Sequence, residues 1–309
     1  MKTTVDIVDL PVLAGRGVAP AAPASRLADY YELTKPRMNF LVVITTMVGF
    51  CMAGRIGAIN WLLLVHTLLG TALTAASAAV LNQLIERDAD AKMPRTRNRP
   101  IAAGRISALQ AAACGLLMGL LGVGYLALAV NLLTALLGLA TLLLYILVYT
   151  PLKRVTSLNT VVGAVPGAIP PVMGFTAVHN ALSLDALAVF AILFFWQMPH
   201  FLAIAILYRR DYEAGGFRML PCVDPGLRIT SRMILLYSAA LLPVSLLPAI
   251  LGISGATYFT AAVLLGLAFF SCAVSCATTR CRADSRQLFF ASIIYLPLLL
   301  GFMMFDKIG

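Results

Sequence analysis

The chain has 309 residues, 61% hydrophobic and only 12% charged, with a mean hydropathy of +0.91 and a net charge of +10. A soluble domain is about a quarter charged, so these values exclude an ordinary soluble fold, and continuous apolar runs such as LLTALLGLATLLLYILVY argue against a β-barrel. The basic excess does not by itself point to nucleic acid, because in a membrane protein the placement of Lys and Arg says more than their sum.

Residues 1–25, including AGRGVAPAAPAS, are rich in Ala, Pro and Gly and read as a flexible tail before a single membrane domain, 26–309. Asp6 and Asp9 interrupt the only apolar run there, which argues against a cleaved signal peptide and matches a mitochondrial transit peptide poorly. Nine apolar stretches follow, at 38–54, 61–85, 107–126, 131–150, 158–178, 184–208, 231–252, 256–277 and 288–305. Each is of the length that crosses about 30 Å of hydrocarbon as a helix. With the N-terminus in the cytoplasm, 21 of the 23 Lys and Arg fall inside, and only Arg55 and Lys307 fall outside. This asymmetry predicts an all-α integral membrane protein of nine helices, N-in and C-out. A bacterial inner membrane is the expected location, with the mitochondrial inner membrane as the alternative.

The second stretch ends in NQLIERDADAKMPRTRNRP, residues 82–100. If its helix continues to residue 90, Asn82, Glu86 and Asp90 recur every four residues on one face, while Asp88 points elsewhere. Like charges at that spacing repel, so the pattern is a poor way to stabilise a helix and a good way to hold a hard cation such as magnesium beside substrate phosphates. Lys92, Arg95, Arg97 and Arg99 would compensate the acids and grip phosphate oxygens. Pro94 and Pro100 shape the loop.

The fifth stretch, SLNTVVGAVPGAIPPVMGF, carries three prolines and three glycines and reads as a cavity wall, with close helix packing as the rival explanation. The sixth ends WQMPHFLAIAILYRRDYEAGGFRMLP, residues 196–221, where His200, Ile204, Tyr208 and Asp211 share a face. Pro199 is expected to kink that helix. An ionisable side chain inside a span is a functional candidate by default, which singles out His200. The six cysteines are scattered and imply no disulfide framework.

The first loop, Asn82 to Pro100, resembles the first aspartate-rich motif of the UbiA superfamily of intramembrane prenyltransferases. TKPRM (34–38), YTPLKRVTSLNT (149–160), VPGAIPPVMG (165–174), WQMPHF (196–201) and DYEAGGFRMLP (211–221) extend the resemblance to the superfamily's haem-farnesylating branch. That resemblance implies a UbiA-type fold of nine helices around a central cavity, and transfer of farnesyl from farnesyl diphosphate to a vinyl group of haem b, with water addition, to give haem O. It implies Mg2+ as cofactor and Asn82, Glu86, Asp90 and Asp211 as catalytic metal ligands. Lys35, Arg37, Arg95, Arg97, Lys153 and Arg154 are the expected diphosphate contacts, and His200 with Tyr208 the expected haem pocket. Haem A synthase and haem-copper oxidase assembly are the partners it suggests, with membrane lipid as the surroundings.

Two departures stand out: Glu86 occupies a usual Asp position, and Gly215 stands where a second acid would follow Asp211. The latter argues against the nearest rival, an aromatic prenyltransferase of quinone synthesis. A non-catalytic haem carrier or assembly factor is the rival from another class, and it has no evident need for metal-ligand acids beside arginines.

Overall fold

The computed structural model describes residues 25–54 and 57–308. The expected tail, apart from Ser25, and the outward Arg55 lie outside the described residues. A short helix, α1 (Arg26–Leu33), is capped by Ser25, whose Oγ accepts from the Ala28 amide at 3.3 Å. Nine long apolar helices follow: α2 (Pro36–Ala53), α3 (Trp61–Asp90), α4 (Ala108–Ala129), α5 (Leu132–Val155), α6 (Asn159–His179), α7 (Leu184–Leu207), α8 (Arg228–Ile250), α9 (Ala256–Thr279) and α10 (Arg282–Phe305). The described residues form no strand. The protein is therefore a multi-pass membrane protein, as its apolar periodicity requires.

Side-chain caps set several of the boundaries. Asn60 and Asn131 cap α3 and α5, and Ser183 caps α7. Ser107 and Gln110 form a reciprocal capping box at the start of α4, each side chain bonding the other's amide at 3.1–3.2 Å. Helix α3 does run on to Asp90, which puts the acidic stretch on a helix end rather than in a loop.

Helix α5 contains a π-turn at Leu144–Tyr149, just before Pro151. Proline has no N–H to offer the carbonyl four residues back, so the ladder slips to a longer register there. Beyond it, Thr150 and Lys153 reach Asn82 and Glu86 of α3, while the Tyr149 ring lies against Gly163 of α6.

Helix α6 packs on α2, α5 and α7, and α7 packs in turn on α8 and α10. Despite Pro166, Pro170 and Pro171, α6 is continuous and more deeply buried than the other spans. Its packing on α2 is backbone to backbone: a Cβ at Gly174 would run into the Thr46 carbonyl and the Phe50 amide, and one at Gly49 into the Pro171 carbonyl. Small residues allow that approach in a membrane, where dispersion rather than hydrophobic transfer holds helices together. The packing reading of α6 therefore holds, and on another face Pro170 and Met173 line a small cavity of ≈ 30 Å³ between α2, α3, α5 and α6. Helix α7 likewise runs unbroken through Pro199, so the expected kink does not interrupt it.

The α3–α4 contact uses small residues as well. Gly115, Gly119 and Gly122 are buried along α4, and Ser77 Oγ donates to the Gly115 carbonyl at 2.7 Å. The largest apolar core joins α2, α6, α7, α8, α9 and α10. The polar groups gather instead where α3, α5 and α7 meet the loops 91–107 and 208–227.

Candidate active site

Asn82, Glu86 and Asp90 lie on one face of α3 and are 1%, 5% and 1% exposed. Asp88 is on the other side, exposed and 3.5 Å from Arg87. Each of the three buried side chains receives a cationic partner from a different segment. Lys35 Nζ donates to Asn82 Oδ1 at 2.8 Å, Lys153 Nζ to Glu86 Oε1 at 2.7 Å, and Arg99 Nη1 to both Asp90 oxygens at 2.7–2.8 Å. Thr150 Oγ1, on the π-turned part of α5, accepts from Asn82 Nδ2 at 3.2 Å.

Lys35 stands between α1 and α2 with φ of 47°, a left-handed conformation that non-glycine residues seldom adopt. Strain of this kind costs of order 1–3 kcal/mol and persists where surrounding contacts over-determine it. Here the Asn82 bond and the packing of α1 do so. Leu33 is fully buried against Val80, Ile101 and Ile106, and Gln83 Nε2 donates to its carbonyl at 2.7 Å. Burial pushes the Lys35 ammonium down to about 7, with Arg99 and Lys153 adding to the fall and Glu86 and Asp90 opposing it.

The loop after α3 folds back on the site. Thr96 Oγ1 bonds the Asp90 carbonyl at 3.0 Å, and Arg105 clamps α1 through Asp29 at 2.7 Å and Glu32 at 3.1 Å. The second loop meets the first along an apolar seam of Met93, Phe217 and Met219. The Arg218 amide donates to the Lys153 carbonyl at 2.7 Å. Arg95 lies 3.9 Å from Asp211 and 5.0 Å from the centre of the Tyr208 ring, so it bridges the two loops.

Most sequence-derived candidates are thus brought together: Asn82, Glu86, Asp90, Lys35 and Lys153 in contact, with Arg95, Asp211 and Tyr208 at the adjoining seam. Arg37, Arg97 and Arg154 are exposed, and their side chains bond no described residue. His200 sits apart on α7, against α10, with Nδ1 at 2.6 Å from Ser292 Oγ. Thr150, Asp29 and Arg105 belong to the arrangement and carry no distinct signal in the sequence. Only the spacing of Thr150 three residues before Lys153 hints that both point the same way.

Among the described residues, no three of His, Cys, Asp and Glu gather into one cluster. The α3 face instead offers two carboxylates and a carboxamide one turn apart. That donor set is all oxygen, which fits a hard cation such as magnesium and not a soft one. Farther along the same α3 face, Ala78, Ala75, Thr74 and Thr71 line the small apolar cavity. The α3 face therefore joins a charged end to an apolar wall.

The profile of the UbiA prenyltransferase family matches residues 42–294. Proteins named protoheme IX farnesyltransferase are similar over almost the whole chain. That of Solibacter usitatus is 46% identical, covering 92% of this chain and 100% of its own, and that of Myxococcus xanthus is 44% identical, covering 91% and 95%. Among solved structures, a digeranylgeranylglyceryl phosphate synthase aligns with a TM-score of 0.75 at 15% identity, over 91% of this chain and 98% of that one. A UbiA homolog from Archaeoglobus fulgidus bound to GPP and Mg2+ aligns with a TM-score of 0.65 at 17% identity, over 89% and 99%. At such identities these structures speak for the fold.

Proposed function

The chain belongs to the UbiA prenyltransferase family, and from that premise we propose that it transfers farnesyl from farnesyl diphosphate to a vinyl group of haem b, with addition of water, giving haem O and diphosphate. One observation in the structure carries the proposal: three buried oxygen-bearing side chains on α3, each met by a base from a different segment. Carboxylates alone would repel a diphosphate, and bases alone would not hold a cation. Both together suit an anion that arrives with a metal. The likeness to proteins named for this reaction supports farnesyl and haem as the substrates.

Asn82, Glu86 and Asp90, with Asp211 across the loop seam, would hold Mg2+, which when bound neutralises charge on the leaving diphosphate. The residues of the chain do the rest. Lys35, Lys153 and Arg99 turn from Asn82, Glu86 and Asp90 to phosphate oxygens, and Arg95, Arg97, Arg37 and Arg154 supply further positive charge at the loop side. These donors stabilise negative charge as the C1–O bond breaks and its electron pair leaves with diphosphate. The apolar face beyond Asn82 holds the isoprenoid and keeps water from the allylic cation. The terminal vinyl carbon then attacks C1, and water captures the new cation beside the macrocycle, losing a proton to give the hydroxyethylfarnesyl group.

The distribution of Lys and Arg supports a cytoplasmic location for the site loops in a bacterial inner membrane. The test is a side-by-side assay of the purified protein in lipid, with farnesyl diphosphate and Mg2+ offered haem b or 4-hydroxybenzoate. Haem O by chromatography and mass is the expected product. Prenylation of the aromatic acid alone would overturn the acceptor.

A further inference from the structure

His200 is half-buried at the interface of α7 and α10, and its surroundings are ordered around the ring. Trp196, one turn earlier, stacks on it with centroids 4.9 Å apart and planes 21° from parallel. Phe289 and Phe201 approach to 5.2 Å and 5.5 Å. Trp196 is itself fixed, since its Nε1 donates to the Ser292 carbonyl at 2.9 Å.

The hydrogen bonding decides the tautomer. Ser292 Oγ has one proton, and it is given to the Phe289 carbonyl at 2.6 Å. Toward His200 it can therefore only accept, so at 2.6 Å His200 Nδ1 carries the proton. Nε2 is left with its lone pair; it bonds no described residue and is not sealed from the surface. A neutral imidazole whose distal N–H is tied to an oxygen, with the other nitrogen bare, is the arrangement found at metal-ligating histidines.

We propose that His200 Nε2 ligates the iron of the metalloporphyrin acceptor, with Ser292 as the residue that fixes its tautomer and Trp196 and Phe289 as apolar walls. This rests on the proposed haem acceptor and assigns its anchoring point. Contrary to the single face read from the sequence, α7 ends at Leu207 and breaks at Tyr208, and a separate short helix, 209–214, carries Asp211; Tyr208 and Asp211 both meet Arg95 just beyond the end of α7. From His200 to the end of α7 is about 10 Å at 1.5 Å per residue. A macrocycle anchored at His200 thus has one edge directed toward the diphosphate end, which makes ligation a means of choosing which vinyl group is presented.

The experiment uses full-length protein in lipid nanodiscs, titrated with haem b or with iron-free protoporphyrin IX, and read by absorption and by resonance Raman of the ferrous state. Wild type is expected to show an iron–histidine stretch and to bind haem b roughly tenfold or more tighter than the iron-free ring. His200→Ala should lose the band and the preference, and free imidazole should restore the band. Ser292→Ala should keep the band at lower frequency and weaken haem affinity about tenfold. A His200→Ala protein with unchanged band and affinity overturns the proposal. Should that variant not fold, an unchanged frequency and affinity in Ser292→Ala overturns it instead. Haem O formed by a wild type that lacks the band removes the ligation and leaves the reaction standing, whereas no haem binding by an enzyme that prenylates another acceptor removes both.

Discussion

Asp90 is 1% exposed and depends on one guanidinium, Arg99, nine residues along the chain. Removing one partner of a buried pair leaves the other charge uncompensated, at a cost of about 3–5 kcal/mol. Arg99→Ala should therefore lower the thermal midpoint of the metal-free protein markedly, and an unchanged midpoint would show that the pair is not doing structural work. Asp224 gives a second residue-scale test, outside the spans. Burial works to raise its pKa, but hydrogen bonds from Thr230 and neighbouring amides at the start of α8 outweigh it and hold the carboxyl below its ordinary value of 3.8. A depressed pKa stabilises the fold fully above the unfolded value and loses that contribution as pH falls through the lower folded value. The thermal midpoint of Asp224→Asn should accordingly vary less than that of wild type across acidic pH, as followed by circular dichroism. The acids on α3 were legible because i, i+4 spacing is a local property. Which base meets which acid was not, since Lys35, Lys153 and Arg99 come from segments whose approach is set by packing.

At the scale of elements, the α2–α6 contact shows how much a glycine can decide. Gly174 and Gly49 let two backbones touch, and a side chain at either position would meet main-chain atoms that cannot rotate away. Gly174→Ala is expected to cost about 1–3 kcal/mol by overpacking. Gly301, with no atom within 4 Å of an added Cβ, is the matched control. There Gly301→Ala should be neutral or stabilise by roughly 0.5–1 kcal/mol through helix propensity. Equal thermal midpoints for the two variants would contradict the close contact. The run of Pro and Gly in α6 signalled something unusual in the sequence, but not which kind, because local composition does not say whether the neighbour is another helix or a ligand. The π-turn in α5 was likewise not foreseen, although Pro151 supplies its cause.

Taken whole, the molecule has a charged end, an apolar middle and a clasp at the opposite end. Lys307 Nζ donates to the carbonyls of Cys51 and Gly54 at the end of α2, while Asp306 accepts from the Tyr258 amide on α9 at 2.7 Å. The outward-assigned lysine thus joins α2 to the α9–α10 pair far from the site. The span count was readable from hydropathy, and the charge asymmetry predicts the N-in, C-out orientation. Cys281, exposed on the turn between α9 and α10, provides its test. A membrane-impermeant maleimide should label it in inverted vesicles and not in intact cells, and the reverse pattern would invert the topology.

The most direct measurement of the central claim is haem O formation from haem b and farnesyl diphosphate by wild type and Asp90→Ala, each with Mg2+ and with chelator. The α3 face as metal and diphosphate site predicts product only from wild type with Mg2+, restored after chelation by added Mg2+. It further predicts a loss of about 10²-fold or more in kcat for Asp90→Ala, with haem b binding retained. Haem O formed at the wild-type rate by Asp90→Ala, or formed undiminished in chelator, would contradict it.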